Sequence, residues 1–295
     1  MRRIRESASR KAFNIINIII LLGLTSLCII PFINVIAVSF SDNTYVSAGL
    51  VTFWPKGFTL DAYRYLFSRT AFWQAFLVSI IRLIAGTAIN LFMILLTAYP
   101  LSKESNRFRF RTLYAWLFFI TMLIGGGMIP SYLLITRLGM RNTLWALILP
   151  GALPVFNLVL MINFFRQIPR ELEEASIIDG ASQVLTLVRI YLPCSLAAIA
   201  TTSLFCMVSH WNAWFDGMIY IQKPDLKPLQ TYLRTVVIKL DLSEMSSDDM
   251  ELFKTLSDRA LRSSQVIIAM IPILCVYPYL QRYFVKGIVL GSVKG

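Results

Sequence analysis

From Phe13 to Phe40 the chain runs 28 residues without one charged side chain. About 20 apolar residues suffice to cross the hydrocarbon core of a bilayer. Five more apolar runs follow: Phe72 to Leu101, broken only by Arg82, then Leu113 to Ile135, Leu144 to Phe165, Ile190 to Phe215 and Val266 to Leu280. The last is short, but its flanks, Gln265 and Gln281, are uncharged, so it can still span. The pattern predicts an all-α integral membrane protein with six transmembrane helices.

Composition closes off the soluble alternatives. Only 15% of the 295 residues are charged, 57% are hydrophobic and the mean hydropathy is +0.66. A soluble domain carries about 25% charged residues, so polar side chains are too few here to coat a water-soluble enzyme. The net charge of +12 does not signal nucleic acid. The Lys and Arg residues lie in the gaps between apolar runs, where charge orients helices across a bilayer. The basic start (Arg2, Arg3, Arg5, Arg10, Lys11) fits a signal peptide, but the following run is about twice a signal core, so a retained helix is expected. Cys28, Cys194, Cys206 and Cys275 form no CxxC and read as small apolar residues. His210 is the single histidine, and with no ligand cluster a metal site is not expected.

Basic residues near the ends of short loops set orientation. Five fall in the first eleven residues, and Lys103, Arg107, Arg109 and Arg111 crowd one short loop. Both termini are therefore expected in the cytoplasm. Residues 41–71 and 222–264 are then outer segments, the first of mixed composition (Trp54, Pro55, Gly57, Tyr63), the second carrying the acidic run Asp248-Asp249-Met250-Glu251. Within the third run, Gly125, Gly126, Gly127 and Pro130 predict a kink or a close helix approach.

One inner loop breaks the charge rule. Glu171 to Pro193 begins acidic where cations are expected. Pro169 suits a helix start, and Glu171, Glu173 and Glu174 in the first turn favour the helix dipole. Leu172, Ala175, Ile178 and Ser182 are expected to share a face, and Asp179-Gly180 to end the element. The spacing predicts a short amphipathic helix, about 169–182, on the inner surface. Its polar face bears carboxylates rather than the Lys and Arg of a membrane-surface helix, so a protein partner with basic groups is preferred.

These residues resemble the EAA signature of ABC-importer permeases: Glu174-Ala175-Ser176, Gly180, then Ile190-Tyr191-Leu192-Pro193, with Ser176 where Ala is commonest. The resemblance covers essentially the whole chain, with four apolar runs before the signature and two after. The stretches Gly126–Leu133, Asn142–Leu147, His210–Phe215 and Phe284–Gly287 narrow it to the carbohydrate permeases of the maltose-type group, and most nearly to those for aldouronate, alginate and related oligosaccharides.

The resemblance implies the type I importer permease fold: a cytoplasmic tail 1–12, a first span and outer loop 13–71, a permease domain 72–285 and a tail 286–295. It implies a subunit of a bacterial inner-membrane importer for an oligosaccharide, with acidic alginate- or aldouronate-like chains among the candidates. The partners it implies are a cytoplasmic ATPase dimer, a second and distinct permease, an extracytoplasmic solute-binding protein and membrane lipid. Glu174, Ala175, Ser176, Asp179 and Gly180 would couple to the ATPase. Glu174 would pair with a basic residue there, Ala175 and Ser176 would be small for close docking, and Gly180 would allow the turn. The chain has no GxxxxGK[ST] string, so ATP and Mg²⁺ would be held on the partner and this subunit is no enzyme.

Candidates for a substrate path are Arg82, Trp211, Asn212, Trp214 and Asp216, with His210 among them. Aromatic faces suit sugar rings, while amide and carboxylate groups suit hydroxyls. Arg82 is a costly intramembrane charge. It reads equally as a contact for an anionic or hydroxyl-rich solute and as a side chain that snorkels or pairs with Asp216. The alternative class, a proton- or ion-coupled secondary carrier, calls for inverted repeats and mid-membrane carboxylates, which the sequence does not display.

Overall fold

A computed structural model describes residues 8–238 and 258–292, which are helical, with no strand beyond an isolated Ser41–Phe58 bridge. Two compact units divide the chain, residues 1–69 with 237–270 and residues 70–236 with 271–295.

The first unit contains α1 (Ala8–Ser39), α2 (Asn43–Ser47), α3 (Asp61–Ser68) and the start of the last helix, α15 (Asp258–Ser292). Along α1, Phe13, Ile19, Leu22 and Leu27 stand in the open. A face this apolar has lipid as its natural solvent. The mixed segment after α1 is folded, as its composition suggested. Asp42 caps α2 through the Thr44 amide, Tyr63 donates to Ser39 at 2.9 Å, and Asn34 donates to the Thr52 carbonyl at 2.7 Å. Ala37, Val38, Val46 and Val51 close a small core with Ala260 of α15.

The second unit is built on α4 (Thr70–Ser102), whose buried residues recur at helical spacing: Phe72, Ala75, Ser79, Arg82, Gly86, Asn90, Ile94, Ala98, Leu101. Steps of three and four keep one stripe facing inward along the whole helix. Against it pack α8 (Val155–Arg166) and α12 (Leu196–Asn212), whose Leu158, Met161, Phe165, Ala198 and Cys206 share a core with Ile94 and Ala98. Trp73, Leu77, Ile84 and Phe92 occupy the other side of α4 and stay exposed, which again fits lipid.

Three of the six apolar runs are continuous helices long enough to cross a membrane: α1, α4 and the first part of α15. The other three are bent pairs. The third run is α5 (Arg111–Leu123) and α6 (Met128–Arg137), turned by 112° between them. Gly127 stands at φ +83°, a left-handed conformation costly for other residues. No described atom lies within 4 Å of where a Cβ would sit on Gly125 or Gly126. The glycines thus serve the turn, and the close-approach reading finds no partner among the described residues.

The fourth run is α7 (Trp145–Ile148) and α8, bent by 47°. The fifth is a second correction. Instead of one helix from Ile190 to Phe215, a segment comprising α10 (Gln183–Thr186), a π-helical turn Leu187–Tyr191 and α11 (Leu192–Cys194) meets α12 at 85°. Pro193 contributes no amide to the ladder, and the bend falls at Ser195. The run ends early too. Ala213 is extended, and Phe215 opens the separate α13 (Phe215–Tyr220), before α14 (Leu229–Ile238). The acidic run Asp248–Glu251 lies outside the described residues.

Candidate functional site

The acidic loop folds as α9 (Arg170–Ile178). Pro169 is its N-cap, Asp179 its C-cap, and Gly180 follows at φ +77°. The amide of Ala181 donates to the Ser176 carbonyl at 2.9 Å and that of Gly180 to Ile177 at 3.0 Å, the paired bonds that close a helix through a left-handed glycine. Ser182 does not continue the face of α9. It caps α10, accepting from the Leu185 amide.

What anchors α9 is Glu173, which the sequence left undistinguished among three glutamates. It faces inward with Ser176, three residues on. Its Oε1 lies 2.8 Å from both Lys103 Nζ and Arg107 Nη1, and its Oε2 accepts from Tyr191 at 2.7 Å. Lys103, itself buried, donates to Tyr191 at 2.9 Å and stands 3.9 Å over the Tyr99 ring. One carboxylate thus ties α9 to the end of α4, to the α4–α5 loop and to the π-helical turn. Burial alone pushes the Glu173 pKa up. Hydrogen bonds from Lys103 and Tyr191, with the charges of Lys103 and Arg107, outweigh it, so the acid sits below its ordinary 4.5. Burial pushes the Lys103 pKa down, offset in part by Glu173.

The opposite, outward face carries Glu171, Glu174, Ala175 and Ile178, spaced i, i+3, i+4, i+7. Glu174 is 58% exposed and touches only the fringe of Arg107, at 3.7 Å. Ile178 is 85% exposed. Of the five coupling candidates, Glu174 and Ala175 stand on this face, and Asp179 and Gly180 end the helix. Ser176 is turned inward, 3.0 Å from the Thr186 hydroxyl. Its small size serves packing within the chain.

A second polar constellation lies between α4, α8 and α12, around a cavity of about 460 Å³. Arg82, only 3% exposed, pairs with Asp216 of α13 through both terminal nitrogens and donates to the carbonyls of Ala213 and Leu147, each at 3.3 Å. The sequence held a solute contact and this pairing equally open, and the pairing is what the fold forms. Arg82 Nε is buried without a partner. Asn90 donates to the carbonyls of Gly151 and Ala152, at 2.6 and 3.0 Å. That orientation leaves its Oδ1 to accept from His210 Nε2 at 2.6 Å. The imidazole fits a notch at Gly86, where a Cβ would sit 2.5 Å from Nε2.

The remaining path candidates separate. Trp211 is 1% exposed and packs edge-on against Phe76, so its faces are core, closed to a sugar. Trp214 lies in the break after α12 under the Arg234 guanidinium, 3.7 Å from its ring. Asn212 is exposed and does not line the cavity; Asp216 does. Polar lining that sequence reasoning missed includes Asn90, Asn157 and Ser209, all within long apolar runs where hydropathy does not single them out. At about 1.5 Å per residue, roughly 31 Å of α4 separates Arg82 from Lys103, close to one hydrocarbon thickness.

No family model matches the chain. It is 42% identical to protein LplC of Bacillus subtilis over 285 residues, 97% of this chain and 96% of that protein. It is 40% identical to the polygalacturonan/rhamnogalacturonan transport system permease protein YtcP of the same organism, with 93% and 96% covered. The trehalose/maltose permease MalG of Thermococcus litoralis is 28% identical over 99% of both chains. Among solved structures, one chain of a bacterial ABC transporter that imports the acidic polysaccharide alginate superposes with a TM-score of 0.86 at 28% identity, over 96% of this chain and all of that one. YtcP and MalG are named as transport system permease proteins, and each likeness runs over nearly the whole of both chains. The chain belongs to the permease family of sugar-importing ABC transporters.

Proposed function

We propose that this chain is one of two distinct membrane subunits of a binding-protein-dependent importer for an acidic oligosaccharide, and that α9 is the element through which a separate ATPase drives it. In this reading the chain spans the inner membrane six times with both termini in the cytoplasm. ATP and Mg²⁺ belong to the partner. ATP binding closes the ATPase dimer, and α9, docked in its cleft, moves α4 and the fifth span with it.

The observation that carries this reading is the two-sidedness of α9. Its inner face is bolted through Glu173 to three other segments, and its outer face presents Glu174, Ala175 and an almost bare Ile178. A helix rigid on one side and unsatisfied on the other transmits displacement. The acidic-glycan class rests on relatives, since YtcP is named for polygalacturonan and rhamnogalacturonan and the superposed transporter imports alginate. A structure of an alginate transporter holds an alginate-loaded periplasmic protein, which supports a solute-binding partner here.

Arg82 and Asp216 act as a clasp beside the cavity. With Arg82 engaged, a carboxylate sugar must compete with Asp216 for it. Glu174→Lys should leave the subunit inserted while uncoupling ATP hydrolysis from transport or loosening the ATPase. Transport at the wild-type rate in that variant would count against the docking role of α9.

A further inference from the structure

Beyond the transport reading, the second unit contains an amphiphile-shaped recess. An apolar groove of about 390 Å³ runs between α5 and α8, walled by Ala115, Trp116, Phe119, Leu158, Val159 and Ile162. At its α4–α5 loop end stand Arg111 and Arg166. The same two arginines also line an adjoining polar recess of about 360 Å³, so the apolar and polar hollows meet at them.

The charges of that polar recess do not balance. Lys103 and Arg107 are engaged by Glu173, and Arg170 pairs with Glu104. Arg111 and Arg166 join no ion pair among the described residues. Arg111 Nη1 donates to the Lys103 carbonyl at 3.0 Å and Arg166 Nη2 to that of Leu101 at 3.4 Å, while Arg111 Nε is buried with no partner. Two guanidiniums side by side with no counter-charge are a site for a dianion or a phosphodiester.

We infer that this groove binds one anionic phospholipid, its acyl chain between α5 and α8 and its phosphate on Arg111 and Arg166. A partner helix would fill the apolar groove equally well, but it would leave both guanidiniums without an anion. Free phosphate would satisfy the arginines and leave the groove empty. Only a lipid with an anionic head uses both halves. The site adjoins the Glu173 hub, so a bound lipid would stiffen the α4–α5 loop that carries Lys103 and Arg107.

Native mass spectrometry of the purified importer, delipidated and then offered phosphatidylglycerol, phosphatidylcholine or glycerol 3-phosphate, tests this. Phosphatidylglycerol should be retained over phosphatidylcholine. The variant Arg111→Gln/Arg166→Gln should lose that preference by about fivefold for each arginine removed. Ala115→Trp, which fills the groove without touching a charge, should weaken both lipids alike. Equal retention of the two lipids, unchanged preference in the double variant, or full competition by glycerol 3-phosphate would overturn the assignment. So would a photo-crosslinking residue at Ala115 that captures a second protein chain rather than lipid. Unaltered complex assembly in each variant, read from the same spectra, separates loss of the site from loss of the fold.

Discussion

Replacing Glu173 by Gln isolates the hub on which α9 rests. The substitution keeps the volume and an acceptor for Tyr191 but removes the charge that Lys103 and Arg107 share. Arg107 is 41% exposed, and losing an exposed pair costs no more than about 1 kcal/mol. Lys103 is different, being 9% exposed with its ammonium between two tyrosine rings. Stranding one member of a buried pair costs about 3–5 kcal/mol. The retained acceptor places Glu173→Gln near the lower end, about 3 kcal/mol, or a factor of roughly 150 in the unfolding constant. Denaturant unfolding of the purified subunit in mild detergent, followed by tryptophan fluorescence, reads this directly. The companion variant Lys103→Met/Glu173→Gln removes both buried charges and should recover stability to within about 1 kcal/mol of wild type. Single effects that simply add, with no recovery in the double variant, would refute the reasoning, because the two groups would then not be each other's partners.

Acid should act on the same hub. Glu173 is held below 4.5, so its contribution is present above that value and is lost as pH falls through the lowered one. In Lys103→Met a cause of that lowering is gone, so the loss of stability on acidification should shrink, seen as a flatter run of unfolding midpoints across a pH series. Gly180→Ala forces a side chain to φ +77° and should cost about 1 kcal/mol, with ATPase attachment impaired more than helix content by circular dichroism. Gly86→Ala sets a methyl against the His210 ring and should cost about 1–3 kcal/mol, with transport reduced in vesicles. Asp216→Asn strands the buried Arg82 and should abolish folding or transport, while Arg82→Met/Asp216→Leu should restore assembly without restoring uptake.

The sequence revealed what is periodic or locally capped. The apolar runs, the start of α9 at Pro169 and its end at Gly180 all depend on residues within a turn or two of one another, and the fold repeats them. It revealed the bend at Gly125–Pro130 but not those in the fourth and fifth runs. Both halves of the fifth run are apolar, so a hydropathy reading passes across the 85° turn at Ser195 without notice. Glu173 was hidden for another reason. Which of three neighbouring glutamates faces inward depends on the rotation of α9, and that rotation is set by Lys103, some seventy residues earlier in the chain. Trp211 misled because an aromatic near a helix end looks the same in sequence whether it faces a sugar, a lipid headgroup or Phe76. The Arg82–Asp216 pair was foreseeable as one of two outcomes because an intramembrane charge must find a partner.

The coupling role of α9 is most directly tested by what its outward face touches. A photo-crosslinking residue at Ala175, in membranes that hold the whole importer and transport normally, should give one main adduct whose mass is this chain plus the ATPase. The adduct should weaken when Glu174→Lys is added. Adducts with lipid alone, from membranes that still transport, would contradict the account.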